Sequence, residues 1–209
     1  MAAATLAAAC AFASSASAAP RGACASGYSY GGLQTRAATR GIAANVTVLA
    51  PSAVTSGHVA AWVGLSSGTS WLQIGISSVP GGTTELYYEA SQPGATPAYH
   101  SLASVGVGET HRLSVVETDQ PGTWVVQLDG NTVSAPIGLP GTHGNARPMA
   151  TSESYDGGFT GCNAYMFRFS ELQVSSAGGW QPIGSARTFA NAGVKLQSSG
   201  PSAVLVSRR

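Results

Sequence analysis

The chain has 209 residues, a length that fits one large domain or two small ones. Only 9% of residues are charged, the formal net charge is +1, and Arg208–Arg209 is the only adjacent basic pair, which argues against nucleic-acid or anionic-membrane binding. Hydrophobic residues make up 44%, enough for a packed core, so disorder is excluded as the default and Ser, Thr, Gly and Gln must cover the surface.

Residues 1–18 are nearly all Ala, Ser, Leu and Phe, and Ala16-Ser17-Ala18 forms an A-x-A cleavage pattern, so this stretch reads as a signal peptide. Secretion to the extracellular space follows as an expectation, with no membrane attachment once the signal is removed. One Lys against nine Arg, with abundant Ala and Gly, hints at a GC-rich bacterial genome. Residues 19–41 form an N-terminal segment, and residues 42–209 a single domain. Removal of the signal takes Cys10 with it and leaves Cys24 and Cys162. An even pair in an oxidising compartment reads most simply as a disulfide, two unlinked buried thiols being the alternative. Closing so long a loop stabilises by ~4–5 kcal/mol in the chain-entropy picture.

From Asn45 onward, short β segments alternate with Gly/Pro/Ser turns. The pattern predicts strands over Ala43–Val48, His58–Leu65, Trp71–Ser77, Thr84–Ala90, His111–Glu117, Thr123–Leu128, Asn131–Ala135, Met149–Ser154, Tyr165–Val174 and Val204–Val206. No long helical period competes. The fold class is therefore all-β, an antiparallel two-sheet sandwich. Asp129-Gly130 between alternating strands marks a tight hairpin, because these residues accept positive φ. In Trp71–Ser77, Leu72, Ile74 and Ile76 share the core face, which turns Gln73 to the opposite surface. By the same alternation Thr151, Glu153 and Tyr155 share a face. The tail after Ser175 reads as loop-rich, with room for late strands.

Nine acidic residues are few enough to weigh singly. Asp129 and Asp156 read as turn residues, and Glu85, Glu109 and Glu171 as solvated edge positions. Glu89 follows Tyr87-Tyr88 on a strand and resists that reading. Glu153, between two serines and with no neighbouring base in its segment, is a candidate acid/base group. His58 and His143 stand beside glycines in expected turns, and the four histidines show no metal-ligand spacing, so no metal and no cofactor are expected. Trp62, Trp71, Tyr87, Tyr88 and Tyr155 are candidates for a sugar- or peptide-binding face, core or cross-strand packing being the alternative.

Taken in order, several segments resemble the glutamic peptidases (eqolisins). They are Ala61-Trp62-Val63-Gly64, Leu72-Gln73-Ile74-Gly75, Tyr88-Glu89, Val107-Gly108-Glu109 and Ala150-Thr151-Ser152-Glu153. The resemblance spans roughly Ile42 to Val174 and implies a concanavalin A-like jelly roll. It implies Gln73 and Glu153 as the catalytic pair: the glutamate activates water and then protonates the leaving nitrogen, while the glutamine amide orients the water and stabilises the oxyanion. It also implies a polypeptide substrate, with Trp71, Tyr88, Glu89 and Tyr155 as substrate-binding residues, and a protein acting as a monomer. Where that family has tryptophans near its site, this chain has Ala90 and Thr151 or Ser152. A non-catalytic module binding carbohydrate or cell-wall polymer on the same sandwich is the competing reading, and a purely structural secreted protein is the third.

Overall fold

The computed structural model describes residues 27–156, 162–184, 186–200 and 202–208. The expected signal peptide and Cys24 lie outside the described residues. Cys162 is disulfide-bonded.

The described residues form strands and turns without a helix. The first six strands are β1 (Tyr28–Gln34), β2 (Gly41–Ala53), β3 (His58–Ser67), β4 (Ser70–Ser78), β5 (Glu85–Ser91) and β6 (Ala98–Ser104). There follow β7 (Thr110–Glu117), β8 (Thr123–Leu128), β9 (Asn131–Thr132), β10 (Ile137–Gly138) and β11 (Arg147–Tyr155). The last are β12 (Ala164–Ser176), β13 (Gly179–Pro182), β14 (Arg187–Ala190), β15 (Lys195–Gly200) and β16 (Ala203–Arg208). A seven-stranded sheet runs β14-β1-β11-β3-β4-β5-β6, and a nine-stranded sheet runs β10-β8-β7-β2-β12-β16-β15, with β9 and β13 pairing beside that path. Their pairings are antiparallel, which gives the expected two-sheet sandwich.

Alternation decides which side chains enter the core. Leu72, Ile74 and Ile76 of β4 are fully buried between the sheets beside Val59, Ala61 and Val63 of β3. The facing sheet contributes Ile42, Val46, Phe167 and Phe169 to the same cluster. A one-residue slip of β4 would turn its three aliphatic side chains outward, so burial itself holds the register. The Asp129-Gly130 turn closes the β8–β9 hairpin with φ of 52° and 82°, and Asp129 is further held by Arg112 N–H donating to Oδ1 at 2.7 Å.

One expectation about chain organisation is corrected. The sandwich begins before residue 42, because β1 lies between β11 and β14 in register from Tyr28↔Tyr155 to Gln34↔Met149. The late strands for which the tail left room are present: β13 to β16 complete both sheets, and β16 contains the expected Val204–Val206. Arg208 of β16 is buried, and its Nη1 donates to Ser29 Oγ of β1 at 2.9 Å. Its Nη2 lies 3.0 Å from Asp156 Oδ2. Asp156 is therefore no ordinary turn residue: it is a buried anion that ties the end of one sheet to the last strand of the other.

Candidate active site

On the seven-stranded sheet the face away from the core is built in rows by the strand register. One row carries Tyr30, Glu153, Ala60 and Ser77. The next carries Thr151, Trp62, Gly75 and Tyr87, and the third Met149, Gly64, Gln73, Glu89 and Tyr99. Small residues sit between the large ones. A Cβ on Gly75 would lie 2.6 Å from Trp62 Cβ and 3.0 Å from Tyr87 Cε1, so glycine lets those two rings close over it. Trp62, Tyr87 and Ala60 form a small cluster of their own, with Tyr30, Tyr99 and Met149 packed against it. Beneath these rings polar groups are buried: Glu89, Glu153 and Gln73 are 0%, 2% and 4% exposed.

Glu153 is held at both oxygens. Trp62 Nε1–H donates to Oε2 at 2.9 Å, and His58 Nε2 stands 3.0 Å from Oε1. The base that the segment of Glu153 lacks thus comes from another strand, and His58, expected beside a turn, is buried at the start of β3. Cross-strand register supplies the partner, since Tyr155 opposes His58 while Glu153 opposes Ala60, leaving His58 diagonal to the carboxylate. Tyr155 and Tyr28 pack around the imidazole, with ring centroids 5.8 and 6.2 Å from it and 4.6 Å from each other. An ionised carboxylate has about four lone-pair positions, so two remain to hold water or a substrate N–H.

Gln73 belongs to a second group. Its amide Nε2 donates to Tyr87 Oη at 3.1 Å and to Glu89 Oε2 at 3.3 Å. Tyr87 stacks on Tyr99 at 4.9 Å. Glu89 Oε1 has no hydrogen-bond partner among the described residues. Burial, reinforced by the nearby charge of Glu153, pushes the Glu89 carboxyl up to about 8. Burial and the same two carboxyls raise Tyr87 well above its usual range, which keeps it a hydroxyl donor. In the folded chain Glu89 thus keeps its proton between the ordinary value of 4.5 and about 8, where the unfolded chain has released it. Stability at Glu89 is full below 4.5 and falls as pH rises toward 8, by an amount of order a few kcal/mol. Urea midpoints measured across that window should drop with pH in the wild type and drop less in Glu89→Gln; parallel curves would refute the assignment.

The expected catalytic pair share one face but do not share partners. Gln73 opposes Gly64 of β3 and Glu153 opposes Ala60, four positions along that strand, or about 13 Å at the usual rise. Trp62 and Tyr87 occupy the row between them. Among the expected binding residues, Glu89, Trp71 and Tyr155 lie on this face, with Trp71 buried at the end of β4. Tyr88 does not. It opposes the core residue Ile74, packs against the main core and stacks on His100 at 4.4 Å. Adjacent strand residues point to opposite faces, so Tyr88 and Glu89 cannot both line the site.

Four of the nine acidic residues are buried: Glu89, Glu117, Glu153 and Asp156. Burial works against charge on Glu117, but Gly122 N–H, His143 and Arg40 outweigh it and hold that carboxyl below its usual value. Asp156 has Arg208 and Glu153 has His58. Glu89 alone of the four has no Arg, Lys or His partner among the described residues. Buried acids without a counter-charge are costly and concentrate where chemistry is done.

A two-sheet antiparallel sandwich with paired buried carboxyls and an amide on one sheet face is the class that these observations define. Neither a protein-family model nor a curated protein sequence matches the chain. Among solved structures it is similar to scytalido-glutamic peptidase bound to a peptide-based transition-state analog, with TM-score 0.66 and 19% identity over 88% of this chain and 98% of that one. It is also similar to SCP-B, a member of the eqolisin family of peptidases in complex with the tripeptide Ala-Ile-His, with TM-score 0.62, 18% identity and the same coverage. The chain has the glutamic-peptidase fold.

Proposed function

We propose that this protein is a secreted, monomeric endopeptidase of glutamic type, acting on polypeptides at acid pH. The observation that carries the reading is the buried polar set on the outer face of the seven-stranded sheet, where Glu153 is oriented by His58 and Trp62 while Gln73 and Glu89 lie on the same surface. A sandwich needs no such groups for its core. The fold shared with two peptidases supports the same reading.

In this proposal a substrate peptide lies across the Trp62 and Tyr87 row. Glu153 takes a proton from a water molecule as the water attacks the scissile carbonyl carbon. The Gln73 amide N–H, with the Tyr87 hydroxyl beside it, donates to the oxygen that becomes negative. Trp62 and His58 hold the carboxylate in one orientation, which spares reorganisation during the reaction.

The test is hydrolysis of denatured casein from pH 2 to 9 by purified protein. Cleavage is expected on the acid side of pH 8, and Gln73→Ala should lower it about 100-fold at unchanged fold, the usual effect of losing one oxyanion donor. A well-folded wild type that cleaves at no pH would overturn the proposal.

A further inference from the structure

We infer that Glu89, as a neutral carboxylic acid, donates the proton to the departing nitrogen, so that acid and base work are divided between Glu89 and Glu153. The inference rests on the peptidase reading above and adds a third group to its chemistry.

The geometry singles out Glu89. Its side chain is buried, Oε2 accepts from the Gln73 amide, and Oε1 has no partner among the described residues. An ionised carboxylate in that position would leave a buried lone-pair set without a donor, whereas a carboxylic acid has an O–H to give. Burial and the charge of Glu153 on β11 act on this carboxyl, and its own charge would bear on Tyr87 of β5, Tyr99 of β6 and Tyr28 of β1. A second negative charge beside Glu153 is disfavoured. Glu153, by contrast, has a neighbour at each oxygen: Trp62 Nε1–H donates to Oε2, and His58 Nε2 lies 3.0 Å from Oε1. Two carboxyls in unlike environments, one with neighbours at both oxygens and one with a free oxygen, suit separate acid and base roles.

The proton balance closes. Water adds its oxygen to the carbonyl carbon and gives one proton to Glu153, forming a tetrahedral oxyanion held by Gln73. The C–N bond breaks as Glu89 passes its proton to nitrogen, releasing the amine and leaving Glu89 ionised and Glu153 protonated. Glu153 then returns its proton through water to Glu89, which restores the starting state.

The leaving group decides the matter. Peptide nitrogen must be protonated to depart, whereas p-nitrophenolate departs unaided. With Glu89→Gln, kcat/KM for a peptide amide should fall about 100-fold, while that for the p-nitrophenyl ester of the same acyl peptide stays within about threefold. Glu89→Asp should recover part of the amide activity. The wild-type amide profile should also fall above pH 8, and the variant should lose that limb. If the amide-to-ester ratio of Glu89→Gln equals that of an active wild type, the inference is overturned and the peptidase reading stands. A wild type inactive on both substrates overturns both. Carboxyl NMR of the selectively labelled wild type gives a readout independent of folding of the variant: a Glu signal titrating near 8 supports the inference, and complete ionisation of the glutamates by pH 6 overturns it.

Discussion

Replacing Glu153 by glutamine is expected to lower kcat/KM for peptides by about 10²–10⁴-fold with little change in melting temperature. Gln keeps the shape of the side chain, and its amide oxygen still accepts from Trp62 Nε1, now 2.9 Å from Glu153 Oε2. What is lost is the proton acceptor. The amide also brings an N–H group toward His58 Nε2, where an acceptor stood at 3.0 Å, so the imidazole must present a lone pair instead. A second readout separates this account from simple damage to the site. Because the charge of Glu153 helps to raise Glu89, the variant should shift the Glu89 titration downward from about 8. Steady-state kinetics and carboxyl NMR on the same preparation check both. Undiminished hydrolysis by Glu153→Gln would remove this residue from the chemistry.

Replacing Arg208 by methionine is expected to destabilise the fold by roughly 3–5 kcal/mol, the usual cost of stripping a buried ion of its partner. Arg208 is 2% exposed and Asp156 is fully buried. Nη1 donates to Asp156 Oδ1 at 3.4 Å, and Nη2 approaches Oδ2 to 3.0 Å as a charge contact without hydrogen-bond alignment. Asp156 also accepts from Ser154 Oγ at 2.9 Å, which cannot by itself offset an unpaired charge. For a domain of this size the loss corresponds to roughly 10 °C in Tm. The double variant Asp156→Asn/Arg208→Met removes both charges and should recover much of the loss. Calorimetry of the two variants tests the coupling; a single variant as stable as the wild type would show that the pair carries no such energy.

The parts of the fold legible in the sequence are those where one strand face is strongly apolar. Leu72, Ile74 and Ile76 place β4 and turn Gln73 outward, and Asp129-Gly130 places a hairpin, from local information alone. β1 and β6 escape that reading because Tyr-Ser-Tyr-Gly-Gly and Ala-Tyr-His-Ser carry no clean alternation and their strands pair through backbone groups near a sheet edge. The candidate site is legible only as single residues. That Glu153 and Gln73 face away from the core follows from period two, but the partner of each comes from another strand. His58 reaches Glu153 across 95 positions of sequence, and the diagonal that brings them together depends on a register no local pattern encodes. Arg208 and Asp156 meet in the same way, across 52 positions. Tyr88 was separable from Glu89 on alternation alone: Tyr87, two positions from the carboxylic acid, is the aromatic that shares its face.

The central claim is that this polar face stabilises the transition state of peptide hydrolysis. The direct measurement is calorimetric titration at pH 4 with two ligands, a peptide and its analogue in which a tetrahedral phosphinate replaces the scissile amide. The account predicts that the analogue binds at least about 100-fold tighter than the peptide, and that Gln73→Ala removes most of that difference. Equal affinity for the two ligands, or none for either, would contradict it, and equal affinity would mark the face as a binding surface without catalysis.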